Sequence, residues 1–297
     1  MKLILSESHD PAVNLAAEEY LLESKKNGDY MMLWTSEPSV IIGKFQNPYA
    51  EVSLTECEKA GVKIFRRNSG GGTVYHDRGN LNYTVISDKS ENSPDYSRFL
   101  TPIVDFLARY GVSAEITDTS ALFTGGKKIS GNAQSVSGGR VMHHGTLLFD
   151  ADLTALDTLT GHAREKILTK SIKSNPSPVT NIRPLMSCDM DTVSFAYELG
   201  TGMCDEVCTF SPEETAEINT VAAEKYRSWK WIFGRSPAFR LERDGFSINS
   251  SHGIIESCSE YEDLLKGAKL IPDEITERLG VSATEADTRR IMKIIFD

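Results

Sequence analysis

The sequence predicts an α/β (α+β) fold: a mixed β-sheet flanked by helices, followed by a small α+β segment. Three observations point there. Apolar runs of strand length recur through the first 150 residues, and few helical stripes interrupt them. The glycine-rich segments join strand to strand. A doubly wound parallel sheet would instead alternate strands with helices.

Residues 2–6 read as a strand. Asp10-Pro11 opens a helix, with an acid at the N-cap and proline at the first helical position. Val13, Ala16, Ala17, Tyr20 and Leu21 form its apolar stripe, and Asn14, Glu18 and Glu19 lie off it. Met31–Thr35 and Ser39–Gly43 are strands around a Ser-Glu-Pro turn, and residues 51–60 a short helix. Leu81–Ile86 alternates as a strand, Ser97–Tyr110 is a helix stopped by Gly111, and Ser113–Thr117 is a further strand. Residues 121–134 read as a hairpin around Gly125-Gly126, and Arg140–Phe149 as a long strand. Were His143 and His144 merely structural, one would be core and one surface, since strand neighbours point to opposite faces. Asp152–Lys170 reads as a polar helix and Ser174–Pro178 as a loop. Ser211 and Glu214 form a capping box opening a helix to about Arg227, and Ser282 with Glu285 suggests another. Asp244-Gly245 is a hairpin turn between strands, with one more strand and two or three helices after it. The expected division is a catalytic portion over 1–234 and a small accessory portion over 235–297.

The chain has 297 residues and a net charge of -10, which argues against a nucleic-acid binder because such proteins carry a basic face. No apolar run reaches the ~18 residues of a membrane helix, and the N-terminus is no signal peptide. Five scattered cysteines fit a reducing cytoplasm and no zinc site. Positive charge is concentrated locally. Residues 62–80 hold Lys63, Arg66, Arg67 and Arg78 against the single acid Asp77, and residues 124–145 hold Lys127, Lys128 and Arg140 with no acid. That pattern suggests a pocket for a small anion.

The segment Arg66-Arg67-Asn68-Ser69-Gly70-Gly71-Gly72-Thr73-Val74-Tyr75-His76-Asp77 is the focus. Consecutive glycines let backbone amides approach an anion closely, and a guanidinium adds a planar positive charge. It is neither a Walker A loop nor a dinucleotide fingerprint, because strand follows it where those motifs need a helix. Three segments can converge on one anionic ligand: this loop, the Lys127–Lys128 hairpin and the His143–His144 strand. A lysine there can stabilise negative charge developing during acyl or phosphoryl transfer.

With these motifs, the sequence resembles lipoate–protein ligase A. The glycine loop, Gly79–Tyr83, Lys127–Gln134 and His143–Leu148 carry the resemblance, with Asn14-Leu15-Ala16-x-Glu18-Glu19, Gly43-Lys44-x-Gln46-Asn47-Pro48 and Trp231-x-Phe233-Gly234-x-Ser236-Pro237. It covers most of residues 1–183. The resemblance implies the fold shared with biotin ligases and activation of lipoate by ATP, with Mg²⁺, to lipoyl-AMP. The lipoyl group would then pass to a lysine on a lipoyl domain of a 2-oxoacid dehydrogenase E2 subunit, or on a glycine-cleavage H protein. Neither nucleic acid nor membrane is implied, and the location would be cytoplasmic. By position, Lys128 would be catalytic and Arg67 would bind nucleotide phosphate. Ser69, Gly71, Gly72, Thr73, Val74 and Tyr75 would line the adenylate site. His76, Asp77, Asn80 and His144 would line or shape the pocket; no metal ligand is assigned. Thr119-Ser120-Ala121 stands where such ligases usually carry Asn-Asp, and Ser177-Pro178-Val179 where they carry Ser-Arg-Val.

Two other readings share these motifs. An octanoyltransferase of the same superfamily would use a cysteine nucleophile, but Ala121-Leu122-Phe123 occupies that neighbourhood. A non-catalytic binder of lipoate or lipoyl-AMP would need no acceptor. Biotin ligase is more distant, because its Gly-Arg-Gly-Arg-type loop is absent.

Overall fold

The structure, a computed structural model, describes residues 1–91, 94–160 and 167–296. The strands in chain order are β1 (Lys2–Leu5), β2 (Tyr30–Trp34), β3 (Ser39–Ile42), β4 (Lys63–Arg66), β5 (Val74–His76), β6 (Asn80–Asp88), β7 (Glu115–Ile116) and β8 (Leu122–Thr124). There follow β9 (Lys127–Ser130), β10 (Asn132–Ser137), β11 (Arg140–Leu148), β12 (Ile167–Thr169), β13 (Glu206–Val207), β14 (Phe239–Arg243), β15 (Phe246–Ser251) and β16 (Ile254–Cys258).

The main sheet runs β10-β11-β6-β2-β1-β13 and is mixed: the pairs from β10 to β2 are antiparallel, and β1 is parallel to both its neighbours. Helix Pro11–Glu23 packs on one face, in a cluster with Trp34, Ile41, Phe65 and Met142. Helices Ser97–Arg109 and Thr192–Met203 pack on the other, around Tyr83, Phe149 and Phe195. A second sheet, β4-β3-β5, carries the glycine loop between β4 and β5, and a third, β7-β8-β9, carries the lysine hairpin. So the mixed sheet flanked by helices is as expected, with two small sheets added where the basic segments lie.

The fourth sheet is β12-β14-β15-β16. Asp244 (φ 51°) and Gly245 (φ 81°) make the hairpin turn between β14 and β15. Its core mixes Phe239, Ile248 and Ile295 with Val40, Ile42 and Tyr49, so residues on both sides of position 235 share one apolar cluster.

Several expectations are corrected. Asp152–Lys170 is not one helix. It is helical over Leu153–Thr160, and Ile167–Thr169 is a strand registered against β14, as suits its β-branched residues; residues 161–166 lie outside the described residues. The last helix, Glu285–Phe296, is capped by Thr284 and not Ser282: the Thr284 hydroxyl accepts from Asp287 N at 3.1 Å. Residues 51–60 form two short helices, Pro48–Glu51 and Leu54–Lys59. Finally, His143 and His144 are both buried. The two faces of β11 are covered by different helices, so alternation sends each ring into a different core and neither into solvent.

Candidate functional site

The glycine loop and the lysine hairpin face one another across a single cavity of about 260 Å³. Its wall includes Arg67, Gly71, Gly72, Thr73, Val74, His76, Lys128 and His144 from the expected set. Ser69, Tyr75, Asp77 and Asn80 stand behind that wall. The Tyr75 ring packs into the apolar cluster shared with β14 and β15. Asp77 accepts from the amides of Gly79, Asn80 and Asp152, fixing the turn before β6. Asn80 donates to Asn82, itself a wall residue. Ser69 acts from beneath, as described below.

Lys128 is positioned by a hairpin whose turn needs two left-handed residues, supplied by Gly125 (φ 54°) and Gly126 (φ 76°). Its main chain is held from the far side by the 174–180 segment, with Lys128 N donating to Pro178 O at 2.8 Å and Thr180 N to Lys128 O at 3.1 Å. The ammonium lies over Gly131, where a Cβ would sit 3.2 Å from both Cε and Nζ. Among the described residues the Lys128 ammonium takes part in no salt bridge. Burial alone moves its pKa below the ordinary lysine value.

The arginines of the loop are built in. Arg66 is fully buried and donates to the carbonyls of Trp231, Ile232, Gly43, Lys44 and Gln46. Burial, then Arg235, lowers its pKa to about 10. Arg67 Nε donates to Ser69 Oγ (3.2 Å) and Gly70 O (3.1 Å), Nη2 to Gly70 O (2.6 Å) and Gly72 O (2.7 Å), and Nη1 to Ile41 O (3.2 Å). Burial lowers its pKa to about 10, so it too stays cationic near neutrality. Most of the Arg67 N–H groups hold main-chain carbonyls and Ser69, so the guanidinium is fixed within the loop while still lining the cavity. Gly71 (φ 90°) permits this, since a Cβ there would sit 2.8 Å from Arg67 Nη2.

Beneath the loop runs a buried polar chain. Glu18 accepts from Trp34 Nε1 (3.2 Å), from the Thr84 hydroxyl, and from His144 Nδ1 (2.9 Å). His144 Nε2 lies 2.6 Å from Ser69 Oγ, which accepts from Arg67 Nε. With Nδ1–H donating to Glu18, Nε2 accepts from the serine, and every member is satisfied. From above, Ser174 Oγ accepts from Thr73 N (2.9 Å) and Gln46 Nε2 (3.0 Å), and Gln46 Oε1 accepts from the Thr73 hydroxyl (3.0 Å). The residues are Glu18 in helix Pro11–Glu23, Gln46 in a polar loop and Ser174 beyond residue 170. The sequence reading gave none of them a role. For Glu18 a signal existed: it is an acid on a helix whose Ala, Leu and Asn neighbours leave little polar face.

Leu15, Trp34 and Ile41 share one apolar cluster, with Val74 packed against it, and all four line the cavity. The sheet register runs from Trp34 to Asn82 to Thr146, and Thr146 N donates to Gly131 O. Three steps of ~4.8 Å place this apolar end ~14 Å from the lysine end. His76 stands at the apolar end, edge-on to Trp34 at 5.5 Å. Neither of its ring nitrogens has a partner among the described residues. Burial, then Arg67 and His144, lowers its pKa to about 3, so the ring is neutral. The chamber can therefore take a molecule with an apolar tail and an anionic head, the head lying between the glycine loop and the ammonium.

Comparisons with known proteins agree with this geometry. Residues 10–202 match the lipoyl protein ligase A/B catalytic domain. The chain is 34% identical over 272 residues to the lipoate–protein ligase LplJ of Bacillus subtilis, covering 86% of this chain and 82% of that protein. A T. acidophilum protein assigned as a lipoate protein ligase, solved with bound lipoic acid, superposes with a TM-score of 0.67 at 25% identity, covering 78% of this chain and 98% of that one. A lipoate–protein ligase A solved with bound ATP gives 0.64 at 25% identity, covering 77% and 97%. The chain belongs to the lipoyl protein ligase A/B catalytic-domain family.

Proposed function

We propose that this chain is an ATP-dependent lipoate–protein ligase. A lipoate carboxylate oxygen attacks the α-phosphorus of ATP, pyrophosphate leaves, and lipoyl-AMP forms. The ε-amine of an acceptor lysine then attacks the lipoyl carbonyl carbon, the bond to AMP breaks, and the amine releases a proton as the amide forms. One observation carries this reading: Lys128 and the glycine loop at Gly71, Gly72 and Thr73 line the same cavity, whose other end is lined by Leu15, Trp34, Ile41 and Val74. The Lys128 ammonium stabilises negative charge at the carboxylate and α-phosphate in both steps. Arg67 acts by shaping the loop and by placing positive charge behind it. Ser69, Gly71, Val74, His76 and His144 shape or line the adenylate chamber, with Tyr75, Asp77 and Asn80 as supports. Residues 1–234 are the catalytic portion in this proposal, and residues 235–297 the accessory one.

Mg²⁺ enters as the companion of ATP. Among the described residues Glu18 is the one acid lining the cavity and already accepts at both oxygens, and no group of three His, Cys, Asp or Glu could hold a metal. The residues thus do not fit a resident magnesium site. The acceptors are lipoyl domains of 2-oxoacid dehydrogenase E2 subunits, and we extend the proposal to glycine-cleavage H proteins and to a cytoplasmic location. No helix among the described residues is long and apolar enough to cross a membrane. A transferase route through a thioester has no nucleophile here, because no cysteine lines the cavity. The test is ATP–pyrophosphate exchange: isotope should enter ATP only when lipoate is present. Exchange that ignores lipoate, or none at all, overturns the reading.

A further inference from the structure

A ligase must admit a protein as its second substrate, and the mouth of the cavity carries features that neither adenylation nor the fold requires. Phe45 is 54% exposed and Ile172 is 51% exposed. Large apolar side chains in such positions are usual at sites that meet another protein. Each sits beside a lysine, Lys44 and Lys173, and the Lys44 ammonium lies 5.9 Å from the centre of the Phe45 ring. Neither lysine forms a salt bridge with a described residue. The two pairs immediately precede Gln46 and Ser174, which are joined at 3.0 Å directly over the glycine loop. At 3.8 Å per residue both pairs flank the entrance.

The surroundings are mostly of one sign: Glu18 in the wall and the buried Glu51, which accepts from Ser174 N at 3.1 Å, are the nearby acids. Residues 38–50, 62–76, 119–149 and 167–188 contain no acid, in a chain whose net charge is -10. These four segments supply most of the cavity wall and its rim. At physiological ionic strength charges beyond ~8 Å are screened, so a visitor at the mouth meets the exposed local lysines before the acidic remainder, Glu51 being buried beneath Ser174.

We propose that Lys44, Phe45, Ile172 and Lys173 form the docking surface for the protein acceptor, and that the acceptor presents acidic residues around its target lysine. This rests on the ligase reading above. The exposed apolar pair supplies contact area. The lysines orient the acceptor by its acids and speed encounter, so the target amine arrives over the cavity.

The test separates the two half-reactions. The full chain carrying Lys44→Glu with Lys173→Glu, and separately Phe45→Ser with Ile172→Ser, is assayed for lipoate-dependent exchange at saturating ATP. Each is also assayed for transfer to an apo lipoyl domain of an E2 subunit, with synthetic lipoyl-AMP supplied so that transfer is read independently of adenylation. Exchange should stay within about twofold. Transfer efficiency should fall at least about tenfold through KM, and the charge variant should lose the salt dependence of the unaltered protein. Unchanged transfer overturns the docking surface, as does loss of exchange in step with transfer, which would place these residues in the adenylation site. Failure of exchange in the unaltered protein overturns the ligase reading alone, since the docking surface is still judged by transfer from lipoyl-AMP.

Discussion

In the glycine loop, Arg66 and Arg67 are sealed into the protein, their guanidinium hydrogens directed at main-chain carbonyls and at Ser69. In the hairpin across the cavity, Lys127 is exposed, and the Lys128 ammonium lies beside Gly131 at the cavity wall. Both segments present a pair of neighbouring cations near glycines, yet the arginine pair builds the chamber, while of the lysine pair only Lys128 lines it. The difference follows from side-chain chemistry. A guanidinium offers five donors in a rigid fork and can bind several carbonyls while remaining charged. An ammonium on a flexible stem suits a position where a ligand's charge will change.

Substitutions can break that contrast. Arg66→Met should be the most damaging. Five carbonyls lose a buried donor, so unfolding free energy should drop by at least about 4 kcal/mol; Arg66→Lys should not rescue it. A urea titration near the wild-type midpoint would refute the structural role. Lys128→Ala should do the opposite, lowering lipoate-dependent exchange by about 10²–10³-fold while leaving the unfolding free energy within about 0.5 kcal/mol. Near-normal exchange in that variant would remove Lys128 from catalysis.

Acid sharpens the contrast next. His76 follows the loop, and His143 lies stacked on Phe99 at 4.7 Å; burial first, with His144 contributing, takes each from 6.5 to about 3. The unfolded chain binds these protons below pH 6.5 and the folded chain does not. Stability therefore falls as pH drops from about 6.5 towards 3, by up to about 1.4 kcal/mol per unit for each ring. Replacing either histidine by Gln should lessen the slope by that amount, read from denaturation at several pH values; an unaltered slope would contradict the neutral assignment. Ser69→Ala cuts the link between His144 and Arg67, worth about 1 kcal/mol. It should raise the KM for ATP several-fold and leave that for lipoate alone; equal effects on both would argue against loop positioning. Smallest is Gly131→Ala, whose methyl displaces the ammonium by a few tenths of an ångström. Exchange should slow about threefold with the melting point unmoved, and full activity would show that the ammonium needs no such clearance.

Local chemistry made much of this visible in the chain itself. The Lys127–Lys128 hairpin could be picked out because Gly125-Gly126 fixes a tight turn within a few residues, while the choice of Lys128 came from the family resemblance; the triple glycine announces its own bend. Asp10-Pro11 and Ser211–Glu214 cap their helices as read, with Asp10 accepting from Ala12 N at 2.8 Å. The polar links beneath and above the loop stayed hidden because the decisive ones join distant segments. Glu18 meets His144 across 126 positions and Gln46 meets Ser174 across 128. Taken alone, an acid on a helix reads as solvated, and a serine between lysine and asparagine reads as loop. Arg67 was visible as a cation, but the direction of its hydrogen bonds depends on the bend it stabilises, which no spacing rule encodes.

Strand β3 is a party wall. Ile41 looks into the ligand chamber, while Val40 and Ile42 on its reverse lean on Phe239, Ile248 and Ile295 from the last sixty residues. Neither tenant can leave without stripping the other's plaster. Heating the empty protein should accordingly yield one calorimetric peak, with the closing segment melting together with the chamber.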